Sequence, residues 1–149
     1  MAMEPVDGAA EGRLAVEHRL RIQRDLALSL SEATNLDEAL RSCVDAALSI
    51  SNMDSGGIYD LCPNTGAMDL RVHQGLGPAF VEAVRHFPAT DPRADIVRRG
   101  DAIFIPSREL PVEDENIEIE GLCFLAILPI RARNKVIACI NLASHTEDD

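Results

Sequence analysis

The chain has 149 residues, 46% hydrophobic and 26% charged, an ordinary balance for one globular domain. A net charge of -11, with aromatics at 3% and no Trp, excludes the basic footprint and stacking platform that nucleic-acid binding needs. No stretch approaches the run of about 18 apolar residues that spans a bilayer, and the N-terminus lacks the basic-then-apolar pattern of a secretory leader.

Residues 1–13, rich in acids and glycine, read as a flexible lead-in, and residues 14–149 as a single domain. A helix is expected from Leu14 to Ala33. Ile22, Leu26, Leu30 and Ala33 recur at helical spacing and suit a sheet-covering stripe. Leu20, Ala27 and Leu28 leave apolar surface over, enough to meet a second subunit, so a homodimer through this helix is expected. A second helix follows, with Asn35 as N-cap and Glu38 completing a box-like cap. Ala39, Leu40, Cys43, Val44, Ala47 and Leu48 form its buried face.

The period then changes to two. Residues 55–61 and 67–74 read as a hairpin turning through Pro63-Asn64-Thr65-Gly66. In the second strand Met68, Leu70 and Val72 point one way, and Asp69, Arg71 and His73 the other. Pro78 opens a short helix through Phe87, and Asp91-Pro92 opens another that Gly100 ends. A strand is expected at 101–106. Residues 109–120 carry six acids and no base, and read as an exposed loop or frayed helical turn. Leu122–Ile130 and Val136–Ala143 are apolar on both faces, so both are expected as central strands joined through Arg131-Ala132-Arg133-Asn134. Pro129 is the misfit in that pair, since it lacks a ladder donor.

Cys43, Cys62, Cys123 and Cys139 match no paired-cysteine metal or redox spacing. They are expected free and reduced, in a cytoplasmic protein without metal. No nucleophile elbow, HExxH or Walker pattern occurs. His73 falls on a polar strand face, and His18 and His145 read as surface residues. His86, beside Phe87, is the one histidine placed for a role such as haem ligation. Asn141 stands out as an amide in a covered central strand, where it must cap a loop or meet a ligand.

Three segments carry a resemblance to the GAF domain family: Leu36-Asp37-Glu38-Ala39-Leu40 through Ser51; Gly57-Ile58-Tyr59-Asp60 with Asn64-Thr65-Gly66-Ala67-Met68-Asp69-Leu70; and Gly121 through Ile130 with Val136 through Leu142. That family often has a proline where Pro129 stands. The resemblance covers about residues 16 to 146. It implies an α+β fold, a five-stranded antiparallel sheet of order 2-1-5-4-3 with helices on both faces. The first helix and an end helix would lie on one face, and short helices and loops would close a small-molecule pocket on the other. Members usually continue into a C-terminal helix, so the resemblance also implies a piece of a longer signalling protein, with a histidine kinase or related effector attached.

The implied role is a non-catalytic sensor that passes a signal through its first helix and dimer interface. Candidate pocket residues are Tyr59, Phe80, Val84, Phe87, Ile96, Phe104, Cys123, Leu125, Cys139 and Asn141. Asn134-Lys135 lacks the following residues of the family's cyclic-nucleotide signature, and few aromatics are present for a bilin. The acidic segment bordering the site disfavours an anion. A small neutral or cationic ligand remains, with no cofactor; the alternatives are a ligand-free scaffold or dimerisation domain. Gly121-Leu122-Cys123 resembles only superficially the cysteine element of the family's methionine sulfoxide reductases, because Phe124 replaces a glycine there.

Overall fold

The computed structural model describes residues 4–32 and 34–146, with side chains of the first helix described from residue 12. Ala33 and residues 1–3 and 147–149 lie outside the described residues.

Helix α1 spans Glu4–Glu32, so it begins inside the stretch expected as a lead-in. It packs chiefly on the next helix, α2 (Leu36–Ser51), and not on the sheet as its stripe suggests. Ile22 and Leu26 are half-buried there, whereas Leu30 is exposed together with Leu14, Leu20 and Leu28. The physical reason is that α2 already occupies the sheet face. Asn35 caps α2 by accepting from the Glu38 N–H at 2.9 Å. Glu38 reaches back to the N–H of Thr34, at 2.8 Å, one residue earlier than in the usual reciprocal box. Val44 then packs with Ile58, Val72 and Ala138.

Beyond α2 come β1 (Ser55–Leu61), β2 (Met68–Gln74), α3 (Pro78–Val84), β3 (His86–Phe87) and α4 (Pro92–Arg98). Then follow β4 (Ile103–Pro106), a short 3-10 turn, α5 (Glu115–Glu120), β5 (Phe124–Ala132) and β6 (Lys135–Ser144). The sheet is antiparallel with order β3-β2-β1-β6-β5-β4. The five expected strands stand in the expected order, with the closing hairpin central. The two-residue β3 is an addition. Residues 86 and 87 were expected in a helix, but α3 ends at Val84 and the chain turns to pair with Met68 and Asp69.

The alternation of β2 is broken by a bulge. Ile58 pairs with Val72 but Tyr59 pairs with Leu70, so Arg71 is the extra residue. Leu70 therefore joins Tyr59 on one face, while Val72 joins Ile58 under α2. Met68, Leu70 and Val72 do not share a face, contrary to their even spacing. Arg71 lies 3.3 Å from both Asp37 of α2 and Asp60 of β1.

Pro129 is accommodated because β4 pairs only with Phe124–Ile127, so β5 has one neighbour by the time it reaches the proline. The acidic segment is more ordered than expected. Asp114 caps α5 through the Asn116 N–H, Gly121 ends it at φ +84, and Ile117 is anchored against Leu122 and Leu125.

Ala132 pairs with Lys135, which leaves a two-residue hairpin turn at Arg133 (φ 52) and Asn134 (φ 66). Two positive φ values make this a type I′ turn, which favours Asn then Gly. Arg133→Asn should therefore raise stability by about 0.5–1 kcal/mol, read as a higher urea midpoint at unchanged slope. A lowered midpoint would contradict this turn geometry.

Candidate functional site

On the sheet face opposite α2, helices α3, α4 and α5 enclose a cavity of about 100 Å³. Gly57 forms part of its floor because β1 cannot carry a side chain there: a Cβ would sit 2.6 Å from the Val72 carbonyl oxygen and 2.9 Å from Leu70 Cδ1. Walls come from Phe80 and Val84 of α3, Ile96 of α4 and Ile117 of α5.

Of the ten residues proposed from sequence, Tyr59, Phe80, Val84, Phe87, Ile96, Leu125 and Asn141 line this cavity. Three do not. Phe104 is 61% exposed on the edge strand β4. Cys123 lies in the α5–β5 connection, its Sγ 3.6 Å from the Gly121 carbonyl oxygen and 3.7 Å from that of His145. Cys139 is fully buried beside the cavity, packed with Tyr59. His86 is exposed on β3, 2.6 Å from Asp69 Oδ1, and does not reach the cavity.

The polar part of the site is set by Arg93, which the sequence reading missed. Its Nε and Nη2 donate to the two oxygens of Asp91, both at 2.8 Å, and its Nη1 donates to Asp114 Oδ2 at 2.7 Å. The guanidinium lies 4.3 Å from the centroid of the Phe87 ring, a cation–π arrangement. Hydrogen bonds from Arg93, outweighing partial burial, hold the Asp91 carboxyl below its ordinary 3.8. Those to Asp91, and then Asp114, hold Arg93 all the more firmly protonated. An Asp-Pro-Arg start to a short apolar helix was the available signal. Its long-range partner, Asp114, had none beyond membership of an acidic run.

Asn141 supplies the other polar group. Its Oδ1 accepts from the Cys139 thiol at 3.2 Å. That orientation suits Cys139, whose thiol burial pushes up to about 12, so that it keeps its S–H. Asn141 Nδ2 has no partner among the described residues, and Asn141 is one of the residues that line the cavity.

None of these groups is poised for catalysis. The Tyr59 hydroxyl donates to the Val84 carbonyl at 2.6 Å, and burial pushes its phenol well up. Both aspartates are held by Arg93, and Cys139 is no thiolate near neutrality. Among the described residues, no group of three or more His, Cys, Asp or Glu side chains is placed to hold a metal. The four cysteines are free.

The fold is an antiparallel sheet covered by helices on both faces, with a small cavity on one of them. The GAF domain family model matches residues 33–149, and the chain belongs to that family of sensor and regulatory domains. Solved structures share the fold. A GAF domain of a phosphoenolpyruvate-protein phosphotransferase from Coxiella burnetii is 17% identical, with a TM-score of 0.71 over 88% of this chain and 80% of that one. A domain of a protein described as a two-component sensor histidine kinase, from Sinorhizobium meliloti, is 18% identical, with a TM-score of 0.64 over 78% of each chain. The phycoerythrobilin-bound GAF domain of a cyanobacterial phytochrome is 12% identical, with a TM-score of 0.66 over 90% and 85%. No curated protein matches the chain.

The Asp114 side chain is only 4% exposed, so removing its cation leaves a buried, unpaired charge. Arg93→Met should cost about 2–4 kcal/mol in urea unfolding, below the full range for buried pairs because Arg93 is itself 27% exposed. Arg93→Met with Asp114→Asn should cost clearly less than the sum of the single changes. Strict additivity would show that this pair does not couple α4 to α5.

Proposed function

We propose that this GAF domain senses a small, neutral, largely apolar molecule carrying one hydrogen-bond acceptor. The observation that carries this reading is Asn141, a lining residue whose Nδ2 has no partner among the described residues, in a cavity whose other polar groups, Arg93 and Asp114, are already paired with each other. A ligand carbonyl or ether oxygen would satisfy it, whereas a ligand donor would not. A cation gains little, because Asp91 and Asp114 are already engaged by Arg93. An anion would meet two carboxylates for one guanidinium. Size sets a further limit: about 100 Å³ is below the roughly 150 Å³ of an engineered cavity that takes benzene. A bilin is far larger than this space.

The output would run through α1. Leu14, Leu20 and Leu28 are 65%, 58% and 54% exposed on this helix. Pairing with a second copy would remove that apolar area from water at about 25 cal/mol per Å². In a longer signalling protein, cytoplasmic and carrying an effector such as a histidine kinase, a change in helix packing would be the transmitted signal. Among the described residues no helix is long and apolar enough to cross a membrane.

Two experiments test the reading. Titration with small cyclic amides and ketones, followed by protein NMR, should shift the Asn141 side-chain amide together with Gly57 and Phe80. Asn141→Leu, which fills the cavity and removes the donor, should abolish those shifts in a folded protein. Binding that survives Asn141→Leu would overturn the role given to this amide, and no binding by any such probe would leave the cavity as packed core in a ligand-free scaffold.

Light scattering over a concentration series reads the dimer. A mass constant at 16.2 kDa would defeat self-association, and Leu28→Glu should weaken any dimer while leaving the fold intact. An L28E dimer of unchanged affinity would place the interface elsewhere.

A further inference from the structure

His145, expected at the surface, is instead clamped between two carboxylates. Its ring is 29% exposed. Nδ1 lies 2.8 Å from Asp54 Oδ1, and Nε2 lies 2.8 Å from Glu120 Oε2. The backbone N–H of His145 donates to the second oxygen of Asp54 at 2.9 Å. A neutral imidazole has one N–H and one lone pair. Whichever tautomer it takes, a lone pair would face a carboxylate oxygen at hydrogen-bond distance. Only the imidazolium donates to both.

The clamp joins four places distant in sequence. Asp54 belongs to the connection between α2 and β1, Glu120 is the last residue of α5, and His145 follows β6. Glu120 Oε2 also accepts the N–H of Gly77, the N-cap of α3, at 3.1 Å. Helices α3 and α5 carry Phe80, Val84 and Ile117, which wall the cavity. Asp54 and Glu120 are the charged groups that face His145 among the described residues, one from each element packed against it. The neighbouring Cys123 meets only its carbonyl oxygen.

We infer that His145 is a proton-operated latch: while it carries its proton it ties the α5 terminus and the start of α3 to the sheet, and on losing the proton it releases this wall of the cavity. Deprotonation would leave Glu120, whose side chain is 14% exposed, beside Asp54 with no cation between them. The half-buried carboxylate then gains by turning toward water, and the end of α5 moves with it.

The sign follows from the direction of each shift. Hydrogen bonds to Glu120 and then Asp54 raise His145 above its ordinary 6.5 despite partial burial. The latch is therefore intact at pH 6.5 and is lost as pH rises through that raised value. Glu120 is held below its ordinary 4.5 chiefly by the ring of His145. For Asp54, burial works upward, but hydrogen bonds from the backbone and ring of His145 and from Ser55 keep it below 3.8. On the acid side the contribution of the carboxylates is present above those ordinary values, and is lost as pH falls through the lowered ones. The closed window lies between the lowered values of the two carboxylates and the raised value of His145.

This mechanism does not depend on any ligand, and its readout needs none. A titration of the His145 ring protons by NMR should place its pKa above 6.5. Hydrogen exchange, corrected for intrinsic rates, should show protection of residues 77–84 and 115–122 falling about tenfold or more between roughly pH 6 and roughly pH 9. Protection of β1 and β6 should hold. His145→Gln, with a single amide donor group, should show the low protection at both pH values. If that variant does not fold, Glu120→Gln should bring the His145 pKa down toward its ordinary value. A His145 pKa at or below 6.5, or protection of α3 and α5 that is independent of pH, would overturn the latch. Neither result would touch the ligand reading, which the Asn141 experiment judges at a single pH.

Discussion

The cavity side of this domain depends on where Arg93 puts its charge. Three of its N–H groups are spent on Asp91 and Asp114, and its plane lies over Phe87. A guanidinium fork suits this task, since it can hold two carboxylates in fixed directions while covering an aromatic ring. Without it, the apolar faces of α4 and α5 would still be drawn to the sheet, but nothing would set their separation. Hydrophobic burial is non-directional, whereas the fork fixes α4 relative to the start of α5. The arrangement also engages both carboxylates, which leaves the Asn141 amide as the site's unclaimed polar group.

The sheet beneath is organised by a second local constraint, the bulge at Arg71. One extra residue in β2 sends Leu70 to the cavity face and Val72 to the α2 face. Each core thereby receives a branched aliphatic side chain from a strand that would otherwise serve one face only. Arg71 itself is left beside Asp37 and Asp60, where its charge is partly solvated and paired, a contribution of no more than about 1 kcal/mol. The bulge therefore matters through which side chains it redirects, and little through its own ion pairs.

Much of the architecture was legible because it is written locally. The Asn35 cap, the prolines opening α3 and α4, the terminating glycines and the double-sided apolarity of the closing strands each act over a few residues. Strand order came from resemblance and holds. What could not be read was of three kinds. The bulge leaves the period-two pattern of Met68, Leu70 and Val72 intact in sequence, so alternation alone misassigns a face. Pairings such as Arg93 with Asp114, or His145 with Asp54 and Glu120, join residues far apart, and no spacing rule foretells them. The candidate site divides along the same line: its apolar walls followed from strand and helix periodicity, while its charged half did not. Phe104 was misplaced for a third reason, since a short edge strand offers a side chain no opposing layer.

The acidic segment shows how composition can mislead about chemistry. Six acids without a base read as a solvated loop that repels anions. Two of those acids are instead the points at which the segment is fastened. Asp114, the N-cap of α5, meets Arg93, and Glu120, the last residue of α5, meets His145. The two cations differ in kind. Arginine keeps its charge throughout the physiological range, whereas histidine titrates within reach of it. One end of α5 is thus fixed under all ordinary conditions, and the other is conditional on a proton. A short helix pinned in this way can swing about its Arg93 end without losing its place on the domain. Its inward side chain, Ile117, sits between those two points and lines the cavity. A charge change at the far end therefore reaches the site through the helix itself, with no rearrangement required of the sheet.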